Sequence, residues 1–193
     1  MSRSKPKGGL YVKRESVNDK TKELMLYIAT KLEHKDHAGS TLFNKILYFV
    51  DSTNYAKNGK SISNFKYIKQ QFGPTPKPAQ FMPAKEELLE SGATTEQERD
   101  YFGKVVKKLI PTREANLELF KKQEIALIDQ IISEVCSYSA TQISDLTHTH
   151  LNWIIAKNGE ELPLHTFLLT SQSPSEKSVA WAHRIINEIE NVL

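Results

Sequence analysis

The chain has 193 residues, a net charge of +3 and 39% hydrophobic residues, which suffices for the core of one folded domain. Its single cysteine, Cys136, excludes an intrachain disulfide and a zinc site built mainly from thiolates. The longest apolar run, Ile46 to Val50, is far shorter than the roughly 20 residues of a membrane span. The basic N-terminus lacks the apolar core of a signal peptide. We therefore expect a cytoplasmic protein that does not enter a membrane.

The positive charge is concentrated at the N-terminus. Residues 1–22 carry seven basic and two acidic side chains, so the rest of the chain has a net charge of −2. The first 17 residues also contain Gly8-Gly9 and a short Leu10-Tyr11-Val12 patch. We predict a flexible basic arm over residues 1–17 and a single domain over residues 18–193. A basic arm can contact nucleic acid or an acidic protein surface, and a merely solubilising leader is the alternative.

Apolar residues at helical spacing predict that most of the domain is α-helical. The first helix is expected over residues 19–33, with Asn18 as its cap. The second is expected from Ser40, as N-cap, to about Lys57, with Gly59 just past its end. This second helix is apolar over most of its circumference, so we expect it to be the central helix of the core.

The middle of the chain predicts a smaller β element. Residues 61–72 fit a helix or a strand, and a stretch this short does not decide between them. Pro83 at a first helical position predicts a short helix over residues 84–91. Residues 100–112 predict one or two short strands with Gly103 as a turn. The expected fold is mainly α with a small β-hairpin or sheet.

The C-terminal part predicts further helices. One is expected over residues 121–137, and Ser173 opens a last helix that ends near Asn191. Between them, Ser139 and Gln142 form a capping-box pattern for a short helix that ends near Leu146.

The segment from Ser139 to Lys157 resembles a helix-turn-helix, with Thr147 as the expected cap of its second helix. That helix offers His148, His150 and a single lysine, which is a poor set of side chains for recognising bases. DNA binding is therefore possible but not favoured.

No group of residues supports catalysis or metal binding. His148 and His150 are two residues apart, which on a helix points them in different directions, whereas zinc enzymes place paired histidines on one face. Cys136 lies beside Val135 on a predicted helix, where a buried and inert thiol is usual. The chain also lacks the Gly-rich pattern of a phosphate loop. We expect a binding protein with no cofactor and no metal.

Several short motifs occur in an order that is similar to one known family. They are Leu42-Phe43-Asn44-Lys45-Ile46-Leu47-Tyr48-Phe49-Val50-Asp51, Gly59-Lys60-Ser61-Ile62, Phe72-Gly73-Pro74-Thr75-Pro76, Thr147-His148, Trp153 and Gly159-Glu160. Together they resemble the Panacea domain of SocA-like antitoxins from bacteria and phages, over about residues 22–165. The chain departs from the family pattern at Val50, Ser61 and Thr75, where the family prefers Ala, Pro and Val.

The resemblance implies an antitoxin, a protein that binds a toxin encoded beside it and blocks the toxin's active surface. The family's toxins are diverse and many inhibit translation, while some members act as adaptors that present the toxin to a protease. The resemblance leaves the identity of the toxin and the oligomeric state open. A DNA-binding autoregulator and a hydrolase are the rival interpretations.

The resemblance also indicates candidate site residues. The positions that match the motifs are Lys45, Tyr48, Tyr55, Gly73, Pro74, Pro76, Thr147, His148 and Trp153. The alternative is that these residues only build the scaffold. In that case toxin specificity would lie in surface segments, and Leu10, Tyr11 and Val12 of the basic arm are our candidates for toxin binding.

Overall fold

The computed structural model describes residues 18–101 and 103–169, together with the single positions Glu176, Ala180, His183 and Arg184. The predicted basic arm and most of the predicted C-terminal helix lie outside the described residues. The described helices are α1 Asp19–Leu32, α2 Ser40–Asn58, α3 Pro78–Glu90, α4 Lys122–Val135, α5 Ala140–His148 and α6 Leu151–Ile155, with 3-10 helices at Leu117–Leu119 and Leu164–Leu168. The described strands are β1 Tyr67–Ile68, β2 Thr75–Pro76, β3 Thr94–Tyr101 and β4 Lys104–Pro111. The predicted fold class, mainly α with a minor β part, is confirmed.

Helix α2 is the centre of the core, as its sequence predicted. Ile46, Leu47 and Tyr48 on this helix are completely buried. The helix packs against α1, α4 and α5 and against the 3-10 helix Leu164–Leu168. Gly59 ends the helix in the left-handed conformation, with φ of 70°, and its N–H donates to the carbonyl of Tyr55.

The start of α2 differs from the prediction. Ser40 is the first helical residue and Gly39 takes the N-cap position, without a side-chain hydrogen bond. Gly39 lies against Val106 of β4, and a Cβ at Gly39 would lie 2.5 Å from the Val106 Cγ1 atom. The close approach of the strand therefore needs a residue without a side chain at the cap.

Helix α3 begins earlier than predicted, because Pro78 rather than Pro83 occupies its first turn. The fixed φ of proline suits that position. Pro83 lies inside the helix, where its missing N–H costs one intrahelical hydrogen bond. The helix still forms because Ala84 and Leu88 are buried on one of its faces.

The two sheets are small and antiparallel. In the first, Tyr67 pairs with Pro76, so the ambiguous segment 61–72 contains only a two-residue strand. The second is a hairpin with Tyr101 opposite Lys104, turning at Gly103 as predicted. Strand β3 begins at Thr94, six residues before the predicted strand region, because its side chains face solvent and show no apolar alternation.

A buried lysine joins this hairpin to α1. The Lys108 ammonium donates hydrogen bonds to the carbonyls of Leu32, Glu33 and Lys35, at 3.0, 3.0 and 2.9 Å. The carbonyls at the end of a helix have no partners within the helix, so this lysine caps α1.

The predicted boundary between α5 and α6 is wrong. The capping box of Ser139 and Gln142 is present, but α5 continues to His148 and includes Thr147. The Thr147 hydroxyl donates to the Ser144 carbonyl at 2.8 Å instead of capping the next helix. Because Ile143 and Thr147 lie one helical turn apart and are both buried, burial extends α5 by a turn. His150 is the N-cap of α6.

Candidate functional site

Residues from three distant motifs meet at the middle of α2. The Lys45 ammonium donates a hydrogen bond to the carbonyl of Pro74 at 3.0 Å. Gly73, with φ of 94°, lies against both Lys45 and Thr147. A Cβ at Gly73 would lie 2.8 Å from the Lys45 Nζ atom and closer still to the Thr147 Oγ1 atom. We call this packed arrangement the Lys45 contact, and it leaves no space for a side chain at Gly73.

The Lys45 contact fixes a tight turn over residues 70–74, which we call the Phe72 turn. Its backbone is closed by a hydrogen bond from the N–H of Gly73 to the carbonyl of Gln70, at 2.9 Å. Gly73 and Pro74 are buried, whereas Gln71 and Phe72 are exposed. The turn is therefore anchored on one side and open to solvent on the other.

The environment of Lys45 is unusual for a cation. Its side chain is only 1% exposed, and burial lowers the pKa of the ammonium from its ordinary value to about 7. A lysine with such a pKa can act as a base or a nucleophile in enzymes. Here the Nζ atom is enclosed by the backbone of the Phe72 turn and by Thr147, so a substrate has no access to it.

A stack of three side chains adjoins the Lys45 contact. The His148 and Trp153 rings are parallel, with centroids 3.9 Å apart and planes 17° apart. The Lys69 ammonium lies 4.0 Å from the centroid of the Trp153 ring and donates to the carbonyls of Trp153 and Ala156. Lys69 thereby joins the residues just before the Phe72 turn to α6. We call these three side chains the His148 stack.

The His148 imidazole is kept uncharged at neutral pH. Burial, and then the charge of Lys45, lower its pKa below the ordinary value of 6.5. The Asp145 carboxylate and the backbone of Gln71 act in the opposite direction and are weaker. Burial also lowers the pKa of His150. Both imidazoles are thus held as neutral packing groups.

Tyr48, three residues after Lys45, connects α2 to the C-terminal part of the described chain. Its hydroxyl accepts a hydrogen bond from the Asn152 amide at 3.1 Å, and the same amide donates to the Thr166 hydroxyl at 3.2 Å. The Tyr48 ring packs edge-on against Tyr67, with centroids 5.3 Å apart. Burial raises the pKa of the Tyr48 hydroxyl, so it remains protonated and structural.

Asp51 holds the other side of the same region. Its carboxylate accepts hydrogen bonds from the backbone N–H groups of Ile62 and Ser63, at 2.8 and 2.9 Å, and from the Tyr67 hydroxyl at 2.7 Å. It also accepts from the Ser63 hydroxyl. Complete burial raises the pKa of this carboxyl above its usual value. Asp51 thus fixes the segment that leads into β1, which in turn pairs with β2.

The structure brings together six of the predicted site residues and places the others elsewhere. Lys45, Tyr48, Gly73, Pro74, Thr147 and His148 lie around the Lys45 contact and the His148 stack, with Trp153 at the edge of the stack. Pro76 lies in β2, opposite Tyr67. Tyr55 lines a separate cavity of about 200 Å³ beside Phe65 and Tyr67. Leu10, Tyr11 and Val12 lie outside the described residues.

Sequence reasoning missed Lys69 and Asn152 as members of this region. Both flank motif residues, since Asn152 precedes Trp153 and Lys69 is three residues before Phe72. Their partners are distant along the chain: Lys69 bonds to Trp153, and Asn152 bonds to Tyr48. Position beside a motif was the available signal, and it does not reveal a tertiary hydrogen bond.

The described residues do not form other kinds of site. No group of three or more His, Cys, Asp or Glu side chains between residues 18 and 169 is arranged to hold a metal ion. None of the described helices is long and apolar enough to cross a membrane. Helix α6 exposes Ile154 and Ile155, which offer no hydrogen bonds to bases in a DNA groove.

The family model of the antitoxin SocA-like Panacea domain matches residues 43–154, which is more than half of the chain. The matched span includes the Lys45 contact, the Phe72 turn and the His148 stack. No curated protein and no solved structure matches the chain.

The buried charge of Lys45 predicts a pH dependence of stability. Between about pH 7 and the ordinary pKa of 10.5, the unfolded chain binds the lysine proton more strongly than the folded chain, so folding becomes more favourable as the pH rises. Relative to Lys45→Met, the free energy of unfolding of the wild type should rise by about 1 kcal/mol per pH unit between pH 7.5 and 9. Urea unfolding of both proteins at several pH values measures this difference.

The control is Lys57→Met, which removes an exposed lysine near the end of the same helix. Its difference from the wild type should not follow this trend. Parallel pH profiles for Lys45→Met and the wild type would show that the Lys45 ammonium is not desolvated.

The packing at Gly73 predicts that this glycine is irreplaceable for steric as well as conformational reasons. At Gly59, also in the left-handed region, an added Cβ has open space, so Gly59→Ala should cost only the conformational term of about 1–2 kcal/mol. Gly73→Ala adds overlap with Lys45 and Thr147 and should cost about 3 kcal/mol or more. Urea unfolding measures both; equal losses would contradict the close packing of the Phe72 turn.

Proposed function

Because the chain belongs to the Panacea-domain family of SocA-like antitoxins, we propose that it is the antitoxin of a toxin–antitoxin system. It neutralises a cognate protein toxin by direct binding. The toxin is encoded beside it and is of a kind that inhibits translation. The family match over residues 43–154 carries this proposal.

The geometry of the matched region supports binding rather than catalysis. The side chains with chemistry to offer, Lys45 and Asp51, are completely enclosed and bonded to backbone groups or buried hydroxyls. Cys136 is half-buried, and burial raises the pKa of its thiol, which makes it a weak nucleophile. The described polar network therefore builds a rigid scaffold. A free thiol also fits the reducing cytoplasm, where we place the protein.

The exposed side chains supply surface for a partner. Interfaces are enriched in aromatic and large apolar residues, which are rarely exposed in groups without a reason. The described surface has Phe72, Ile154, Ile155 and Leu168 more than half exposed. These positions lie on or near the elements that the scaffold fixes.

The basic arm over residues 1–17 is a second part of the proposed toxin interface, joined to one domain over residues 18–193. Its Leu10-Tyr11-Val12 patch lies between basic residues on both sides. A segment of this composition can order on a partner and cover an acidic or concave surface.

Co-expression tests the antitoxin function. The neighbouring open reading frame, induced alone, should stop growth, and this chain should restore growth and co-purify with the product in a stable 1:1 or higher complex. The same plasmid with an early stop codon is the control. Protection without a stable complex, combined with protease-dependent loss of the toxin, would favour an adaptor. A salt-sensitive complex with operator DNA, without protection, would favour an autoregulator.

Deletion of residues 1–17 tests the arm. The truncated chain should keep its urea unfolding midpoint, because the Panacea match begins at residue 43, and its protection against the toxin should be weaker. A chain with Leu10, Tyr11 and Val12 changed to serine separates the apolar patch from the charge. Full protection by the truncated chain would exclude the arm from the interface.

A further inference from the structure

Phe72 is an aromatic side chain that the fold exposes. It is 60% exposed, although the residues on either side of it on the turn, Gly73 and Pro74 after it and Ile68 before it, are buried. An isolated exposed apolar residue is ordinary on a protein surface. What distinguishes Phe72 is the way in which its backbone is held.

The backbone on either side of Phe72 is fixed by buried contacts. After it, Gly73 is packed against Lys45 and Thr147, and the Lys45 ammonium holds the carbonyl of Pro74. Before it, the carbonyl of Gln70 accepts the N–H of Gly73, and Lys69 is bonded to two carbonyls of α6. A side chain on such a turn loses less conformational freedom on binding than one on a mobile loop, so more of its contact energy appears as affinity.

The surface beside Phe72 is aromatic and positively charged. Trp153 and Lys69 form the outer part of the His148 stack, and the backbone of Gln71 lies within reach of His148. Lys45 and Lys69 both act on the His148 imidazole as positive charges, and the Asp145 carboxylate offsets them in part. A partner surface that complements this region is therefore apolar where it meets Phe72 and acidic around it.

We propose that Phe72 is an anchor residue of the toxin interface, and that the toxin receives it in an apolar socket rimmed by carboxylates. This inference rests on the proposed antitoxin function and adds the site and the chemistry of binding. The Phe72 turn presents the ring, and the lysine of the His148 stack attracts the acidic rim.

Other exposed apolar side chains do not combine these features. Val105 is 67% exposed on the β3–β4 hairpin, near charged side chains of both signs. Leu168 is 61% exposed at the end of a 3-10 helix. Neither has an aromatic ring or a backbone that is tied to a buried lysine, and these two positions therefore serve as matched controls.

The first test is the affinity of the purified chain for the toxic product of the neighbouring gene. Phe72→Ala should raise the dissociation constant about 30-fold, as expected for an interface anchor, while Phe72→Tyr should retain most of the affinity. Val105→Ala and Leu168→Ala should stay within about twofold of the wild type. Urea midpoints should be unchanged in all four variants, because each of these side chains is exposed.

The second test addresses the acidic rim. Gln71 is exposed beside Phe72, so a charge placed there needs no rearrangement of the fold. Gln71→Glu should slow association with the toxin several-fold, and Gln71→Lys should speed it or leave it unchanged. The same order should appear at low salt and fade at high salt.

The outcomes separate this inference from the function on which it rests. If the wild type neither protects nor binds, the antitoxin proposal fails. If the wild type binds and Phe72→Ala binds as well as Val105→Ala, the antitoxin proposal stands and Phe72 is not an anchor. Equal association rates for Gln71→Glu and Gln71→Lys would overturn the acidic rim.

Discussion

The buried carboxylate of Asp51 is the constraint on which the proposed binding region depends. It accepts hydrogen bonds from two consecutive backbone N–H groups and two hydroxyls, so the segment that follows α2 is fixed against that helix. That segment leads into β1, whose pairing with β2 bounds the Phe72 turn. A buried carboxylate is expensive unless it is fully hydrogen-bonded, and here its partners set the path of the chain.

Buried lysines repeat this principle with backbone carbonyls as partners. Lys45 holds Pro74, Lys69 holds the end of α6, and Lys108 holds the end of α1. In each case an ammonium group binds carbonyls that regular secondary structure leaves unpaired. The loops and helix ends of this small domain are thereby fastened by single side chains from other elements. Burial opposes the charge on Lys45 and Lys108, which shows that position has been gained at the expense of solvation.

The sequence predicted those parts of the fold that local patterns determine. Helix α2 was evident because its apolar residues cover most of its circumference. Strand β3 was missed because all but its ends face solvent, and Thr147 was misread as a cap because its burial comes from tertiary packing. The motif residues did converge, but the bonds of Lys69 to Trp153 and of Asn152 to Tyr48 join segments 84 and 104 residues apart. Local sequence contains no signal for such contacts.

The same division between enclosed and exposed groups explains how one scaffold can serve recognition. The enclosed groups, Lys45 and Asp51, cannot touch a partner, so their effect on binding acts through the shape and rigidity of the turn that they hold. Phe72 contributes little to folding because it is exposed, and is therefore free to vary with the partner. A rigid turn gives a small contact at low entropic cost, whereas a basic arm would give a large contact at high cost. Using both would let the fold stay constant while the surface that meets the toxin changes.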